Sequence, residues 1–438
     1  MQTLFLARQI YAMLIVELVT LFDLRDRITS IFMTSDLDFS YLQSTLCPLK
    51  SWCLYMKKLT VIRLVSLLSL CLLVACESGP SAEEIAAQKK AAAEQKAAAA
   101  KRAAAEKVAA EKAAFQKRLE AARAQARNTF QAISAPAKPE GVDALKVKLG
   151  QMLYHEKRIS KNHDISCNSC HDVNNYGVDG KPTSPGHKGQ LGGRNSPTVM
   201  NAYTHIAQFW DGRAADVEEQ AKGPVLNPIE MAMPSERVVL KVLKSMPEYR
   251  AAFKAAFPKE KRPVTYQNFA NAVGAFERQL ATPSRFDTFL GGDDSALNEA
   301  EQEGLAVFME SGCIACHMGA QLGGHMYQKL GLVKAWPNQK DQGRFEVTKK
   351  EEDRMFFKVP SLRNIEKTGP YFHDGQTQSL EEAVKMMAAH QLGKELTDQQ
   401  VTSIITFLKT LTATPAAEYL AIPELPKTTR RTPKPDPS

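Results

Sequence analysis

Cys167-Asn168-Ser169-Cys170-His171 and Cys313-Ile314-Ala315-Cys316-His317 decide how this chain of 438 residues is read. Each is a C-x-x-C-H pattern, the spacing at which two thiols bond one porphyrin's vinyl groups while the adjacent imidazole reaches its iron. A single copy could be a redox dithiol or half a zinc site. Two copies 146 positions apart, in an exported chain without spare cysteines, point to two covalently bound haem c groups. Each haem needs a helical pocket, so the fold class expected is all-α, with two small haem domains. Each iron also has a second axial position: methionine there marks an electron-transfer site, whereas a displaceable ligand marks a substrate site.

Working outward, residues 56–76 open on Met56, Lys57 and Lys58, run apolar from Leu64 to Leu73, and end Leu73-Val74-Ala75-Cys76. A basic start, a short apolar core and a small-residue exit make an export signal rather than a membrane span. Its ending resembles a bacterial lipoprotein signal, which implies a lipid on Cys76 and a periplasmic protein tethered to the outer membrane. Met56 then reads as the start and residues 1–55 as an untranslated upstream extension. The alternative, a membrane helix over Leu14–Leu21, is interrupted by Asp23, Arg25, Asp26 and Arg27. Residues 77–130 read as a spacer, almost all Ala, Lys, Glu, Gln and Arg from Ser81 on, and expected as one long solvated helix. A coiled coil would need large apolar residues at heptad spacing, and these are missing. Pro136 and Pro139 close the spacer. The remaining divisions expected are a first haem domain at 131–292, a second at 293–426, and a basic Pro-rich tail at 427–438.

The formal charge is +8, from 56 Lys and Arg against 48 Asp and Glu. Residues 1–80 carry +1, residues 81–130 +5 and the tail +3, which leaves −1 for residues 131–426. The basic balance belongs to the spacer and tail, so it supports no nucleic-acid partner. A near-neutral to acidic core suits docking of a basic protein.

Further motifs surround the haem patterns: Pro182-Thr183-Ser184-Pro185-Gly186-His187, Gly193-Arg194-Asn195-Ser196-Pro197-Thr198 and Gln208-Phe209-Trp210-Asp211-Gly212-Arg213-Ala214. Glu219-Gln220-Ala221-Lys222-Gly223-Pro224, Glu230-Met231, Gly343-Arg344-Phe345 and Pro370-Tyr371-Phe372-His373-Asp374-Gly375 follow. From about Leu145 to about Leu420 the chain resembles the bacterial dihaem cytochrome c peroxidases. The resemblance implies two cytochrome c-like domains and reduction of hydrogen peroxide to water, with electrons from a small soluble cytochrome c or cupredoxin. It makes His171 the proximal ligand of a peroxidatic haem and His317 that of an electron-accepting haem whose distal ligand is Met387 rather than the adjacent Met386. It makes His187 a displaceable distal ligand, carried on a glycine-rich loop able to move. Glu230 would be the acid-base residue with Gln220 beside it, and Trp210 would lie between the haems. It further implies a calcium ion bound by Asn195, Thr368 and Pro370, and a homodimer.

By themselves these residues read more blandly: Glu230 as a surface charge, Trp210 and Met387 as core, His187 as a loop histidine. Two alternative functions stay open at this level. One is a dihaem electron carrier without a substrate; the other is an enzyme that oxidises a tryptophan of a partner protein.

Overall fold

The computed structural model describes residues 81–438, so the export signal, the upstream extension and Cys76 lie outside the described residues. By its contacts the chain divides at Ala103 into two units. In the first, the described residues are helical from Ala82 and exposed throughout.

The second unit, 104–438, holds two helical cores. Ten helices of six residues or more occur among the described residues: α1 Ala82–Thr129, α2 Gly141–Tyr154, α3 Val217–Leu226, α4 Glu236–Ser245, α5 Pro247–Ala256, α6 Tyr266–Glu277, α7 Arg285–Leu290, α8 Glu299–Glu310, α9 Leu380–Leu392 and α10 Asp398–Lys409. Side-chain oxygens start most of them: Asp216 accepts from Glu219 N, Thr265 from Asn268 N, and Asn298 and Thr397 make reciprocal caps with Glu301 and Gln400. Among the described residues the one sheet is an antiparallel pair, β1 Tyr327–Lys329 against β2 Phe356–Lys358, with Tyr327 opposite Lys358. The fold is all-α in class, as the sequence implies.

Both cores use the same device. In the first, α2 crosses α6 where Gly150 meets Ala272, and a Cβ on Gly150 would lie 1.9 Å from Ala272 O. In the second, α8 crosses α10 where Gly304 meets Ser403, and a Cβ on Gly304 would lie 2.1 Å from Ser403 O. Only glycine allows backbones that close. Around the first crossing pack Leu149, Leu153, Tyr154, Phe269 and Phe276; around the second, Leu305, Phe308, Ile404 and Phe407.

The divisions differ from expectation in three places. The spacer helix is not solvated to its end: Leu119, Ala122 and Ala126 are buried, Ala122, Ala126 and Phe130 join the second core, and Arg118 pairs with Glu303 and Glu310. Ahead of the boundary expected at 292/293, Phe286 and Phe289 of α7 already pack in the second core. There Asp287 takes a two-pronged bond from buried Arg363 at 2.8 Å and a third from Ile133 N. The tail lies against the first domain: Thr432 is buried, its hydroxyl 2.8 Å from Ser245 Oγ, and Asp436 N donates to Lys161 O. The basic, Pro-rich composition of the tail gives no sign of this docking, which small hydroxyl side chains make by pairing with backbone and with each other.

Candidate functional site

The two haem motifs fold as single turns, Cys167–Cys170 and Cys313–Ala315, and leave four free, half-buried thiols. Burial pushes Cys167 up to about 12 and Cys313 up to about 11. The histidines carry the positive evidence. His171 Nδ1 lies 2.9 Å from Pro197 O and His317 Nδ1 lies 2.8 Å from Leu322 O. A carbonyl only accepts, so each Nδ1 carries the ring hydrogen and each Nε2 keeps its lone pair. Burial lowers both pKa values, to about 4 for His317, and so holds both rings neutral. That is the tautomer an iron-ligating imidazole needs, with the ring held in place by the bond on its far side, so the residues fit haem.

A cavity of about 590 Å³ opens beside the first motif, and one of about 230 Å³ beside the second. Cys167, Cys170, His171, Trp210, Gln220 and Glu230 share the first wall. Glu230 is steadied by Asn227, whose Nδ2 donates to Oε1 at 2.7 Å. Burial raises the Glu230 carboxyl, opposed by the Arg213 charge and the Asn227 bond. Arg213 itself lies flat over Phe209, 3.5 Å from the ring centre. Cys313, Cys316, His317 and Met387 share the second wall, and Met387 stands there on α9. Met386 does not line that cavity; its sulfur accepts from Thr377.

Trp210 lines both cavities, with Asn195, Pro197, Thr198 and Phe209. Its Nε1 donates to Asn195 O at 2.9 Å, and its carbonyl accepts from Lys358 N at 2.8 Å, so the indole is fixed from both domains. Asn195, Thr368 and Pro370 are likewise together on the second wall, where Asn195 is buried and its N–H donates to His373 O.

His187 is the sequence-derived residue placed apart. It does not line the first cavity; its Nε2 is 3.2 Å from Ser438 O, and its Nδ1 is buried without a partner. Its backbone N–H bonds to Ile229 O and Glu230 O, so its loop is seated beside the Glu230 segment. Sequence reasoning missed Asn227, Arg213, Glu277, His205 and Lys358. Arg213 lies inside a quoted motif and Asn227 is three residues before Glu230, so both could have been noticed; Glu277, His205 and Lys358 carry no local signal, because their surroundings come from distant segments.

Comparison with known proteins agrees with this geometry. The family model described as Di-haem cytochrome c peroxidase matches residues 144–295, and that described as Cytochrome c matches 301–412. The cytochrome c551 peroxidase of Pseudomonas aeruginosa is 48% identical over 66% of this chain and 84% of its own. The chain belongs to the di-haem cytochrome c peroxidases. The peroxidase is also 46% identical to the cytochrome c551 peroxidase of Nitrosomonas europaea, over 71% of this chain and 92% of that one. Methylamine utilization protein MauG of Methylorubrum extorquens is 33% identical over 64% and 81%. Among solved structures, a MauG-like protein associated with microbial copper homeostasis has a TM-score of 0.58 at 28% identity, covering 69% of this chain and 97% of its own. The peroxidase thus carries two haem c groups and reduces hydrogen peroxide with electrons from a cytochrome.

Proposed function

We propose that the first cavity is the peroxide site and the second the point of electron entry. The observation that carries this is the sorting of side chains. Glu230 and Gln220 share a wall with Cys167, Cys170 and His171, while Met387 shares one with Cys313, Cys316 and His317. When bound, the two haems supply one iron that binds and cleaves peroxide and another that accepts single electrons. Cleavage of the O–O bond needs a proton moved from one oxygen to the other, and a half-buried carboxyl held by Asn227 can take it and return it. Gln220 orients the leaving water through its amide. Trp210 bridges the walls, and His187 is the displaceable ligand of the first iron, here turned to the tail. Asn195 by its side chain, and Thr368 and Pro370 by main-chain oxygen, would hold a calcium ion that keeps the domains in register.

The finer setting belongs to the same proposal: a small soluble donor, cytochrome c or cupredoxin, a periplasmic location with a lipid on Cys76, and a homodimer. No helix among the described residues is long and apolar enough to cross a membrane.

Two variants test the assignment. Glu230→Gln should lower peroxide turnover about a hundredfold or more with both haems still attached by mass; undiminished turnover overturns the acid-base role. His187→Gly should remove the bis-histidine low-spin signal of the oxidised protein, and a persistent signal overturns the gate.

A further inference from the structure

Lys358 ends β2 and is buried, with its Nζ 3.0 Å from Nδ1 of His205, a residue of the first domain's loop. The contact fixes the hydrogens. An ammonium only donates, so Nδ1 accepts and the ring hydrogen sits on Nε2. That Nε2 is buried and finds no partner. Two further N–H donors remain on Lys358, so the pair offers donors and no acceptor. Burial pushes the Lys358 ammonium down to about 8, with no carboxylate among the described residues pulling the other way, and it remains mostly charged at neutral pH. A buried ammonium without an anion costs several kcal/mol, so an anion is called for.

The position says which anion. Lys358 and His205 line the second cavity beside Cys313, Cys316, His317 and Met387. Among the described residues of that wall, Lys358 is the only Lys, Arg, Asp or Glu. A haem enters such a site with two propionate carboxylates, and this wall offers them one cation.

We propose that Lys358 and His205 clamp a propionate of the haem attached at Cys313 and Cys316, and that this clamp raises that haem's reduction potential. The inference rests on the reading of this cavity as the methionine-ligated, electron-accepting site. Both are positioning residues, acting on the potential through the carboxylate they neutralise. His205 comes from the first domain and Lys358 from the second, so the clamp ties the haem's edge to both. The strand does not depend on it, because Lys358 N donates to Trp210 O whatever the side chain.

The experiment is a redox titration of the haem-loaded full chain as wild type, Lys358→Met and Lys358→Arg, with each haem followed by its own absorption. In Lys358→Met the methionine-ligated haem should lose a tenfold or greater factor in electron uptake, 59 mV or more downward for one electron. The other haem should stay in place, and Lys358→Arg should recover most of the shift. An unchanged potential in Lys358→Met overturns the clamp. Where Lys358→Met fails to retain haem at Cys313 and Cys316 by mass, retention in Lys358→Arg supports the clamp and loss in both overturns it. Failure of the underlying reading looks different: the wild type would then lack a methionine-ligated signature altogether.

Discussion

Glu277, at the end of α6, lines the first cavity and is 4% exposed. Burial and the Glu218 charge push its carboxyl up to about 8, against the pull of Arg278. The folded state therefore keeps a proton that the unfolded chain loses above about pH 4.3. The stability this contributes is full below that pH, falls as pH rises, and is gone above about 8. Glu277→Gln should thus gain on the wild type between pH 5 and pH 8, on the order of 1 kcal/mol per pH unit. Urea midpoints of both at pH 5, 6.5 and 8 measure the gap, and a gap independent of pH would refute the assignment. Glu277 also marks where single residues cease to be legible. The cysteines and proximal histidines are readable because covalent attachment fixes their spacing. A lone Glu277, Lys358 or His205 has the local pattern of a surface residue, and what buries it lies far away in the chain.

Elements were legible where side chains are large and periodic, and less so where contact is made by absence of bulk. The last turns of α1 dock through Ala122 and Ala126, which in sequence are indistinguishable from the exposed alanines before them. Likewise Gly304 is an ordinary residue in α8 until Ser403 of α10 comes close. Gly304→Ala should destabilise the haem-loaded protein by about 1–3 kcal/mol, because its methyl must push the two backbones apart. Chemical denaturation measures this; an unmoved midpoint would mean that the crossing is looser than described.

At the scale of the whole molecule, the pair of haem domains was readable from the motifs, but the crossings of the chain between their cores were not, because composition does not reveal them. Phe286 and Phe289 reach forward into the second core, and Tyr419 reaches back into the first. The tail continues that return. Lys161 Nζ donates to Ser438 O at 2.7 Å, Thr429 Oγ1 donates to Ser245 O, and Ser438 O also lies 3.2 Å from His187 Nε2. Removing residues 427–438 should loosen the His187 loop and speed tryptic cleavage after Lys188, read by timed digestion and mass; an unchanged rate would show that the loop holds itself. The shared wall has a longer reach. Pro197 orients the imidazole of one centre, and Pro197, Asn195 and Trp210 line both cavities, so the stretch 195–210 serves both centres at once. A substitution there is judged twice by selection. An exchange of either half for a single-haem cytochrome would have to carry this stretch across whole, so the two halves are not interchangeable modules.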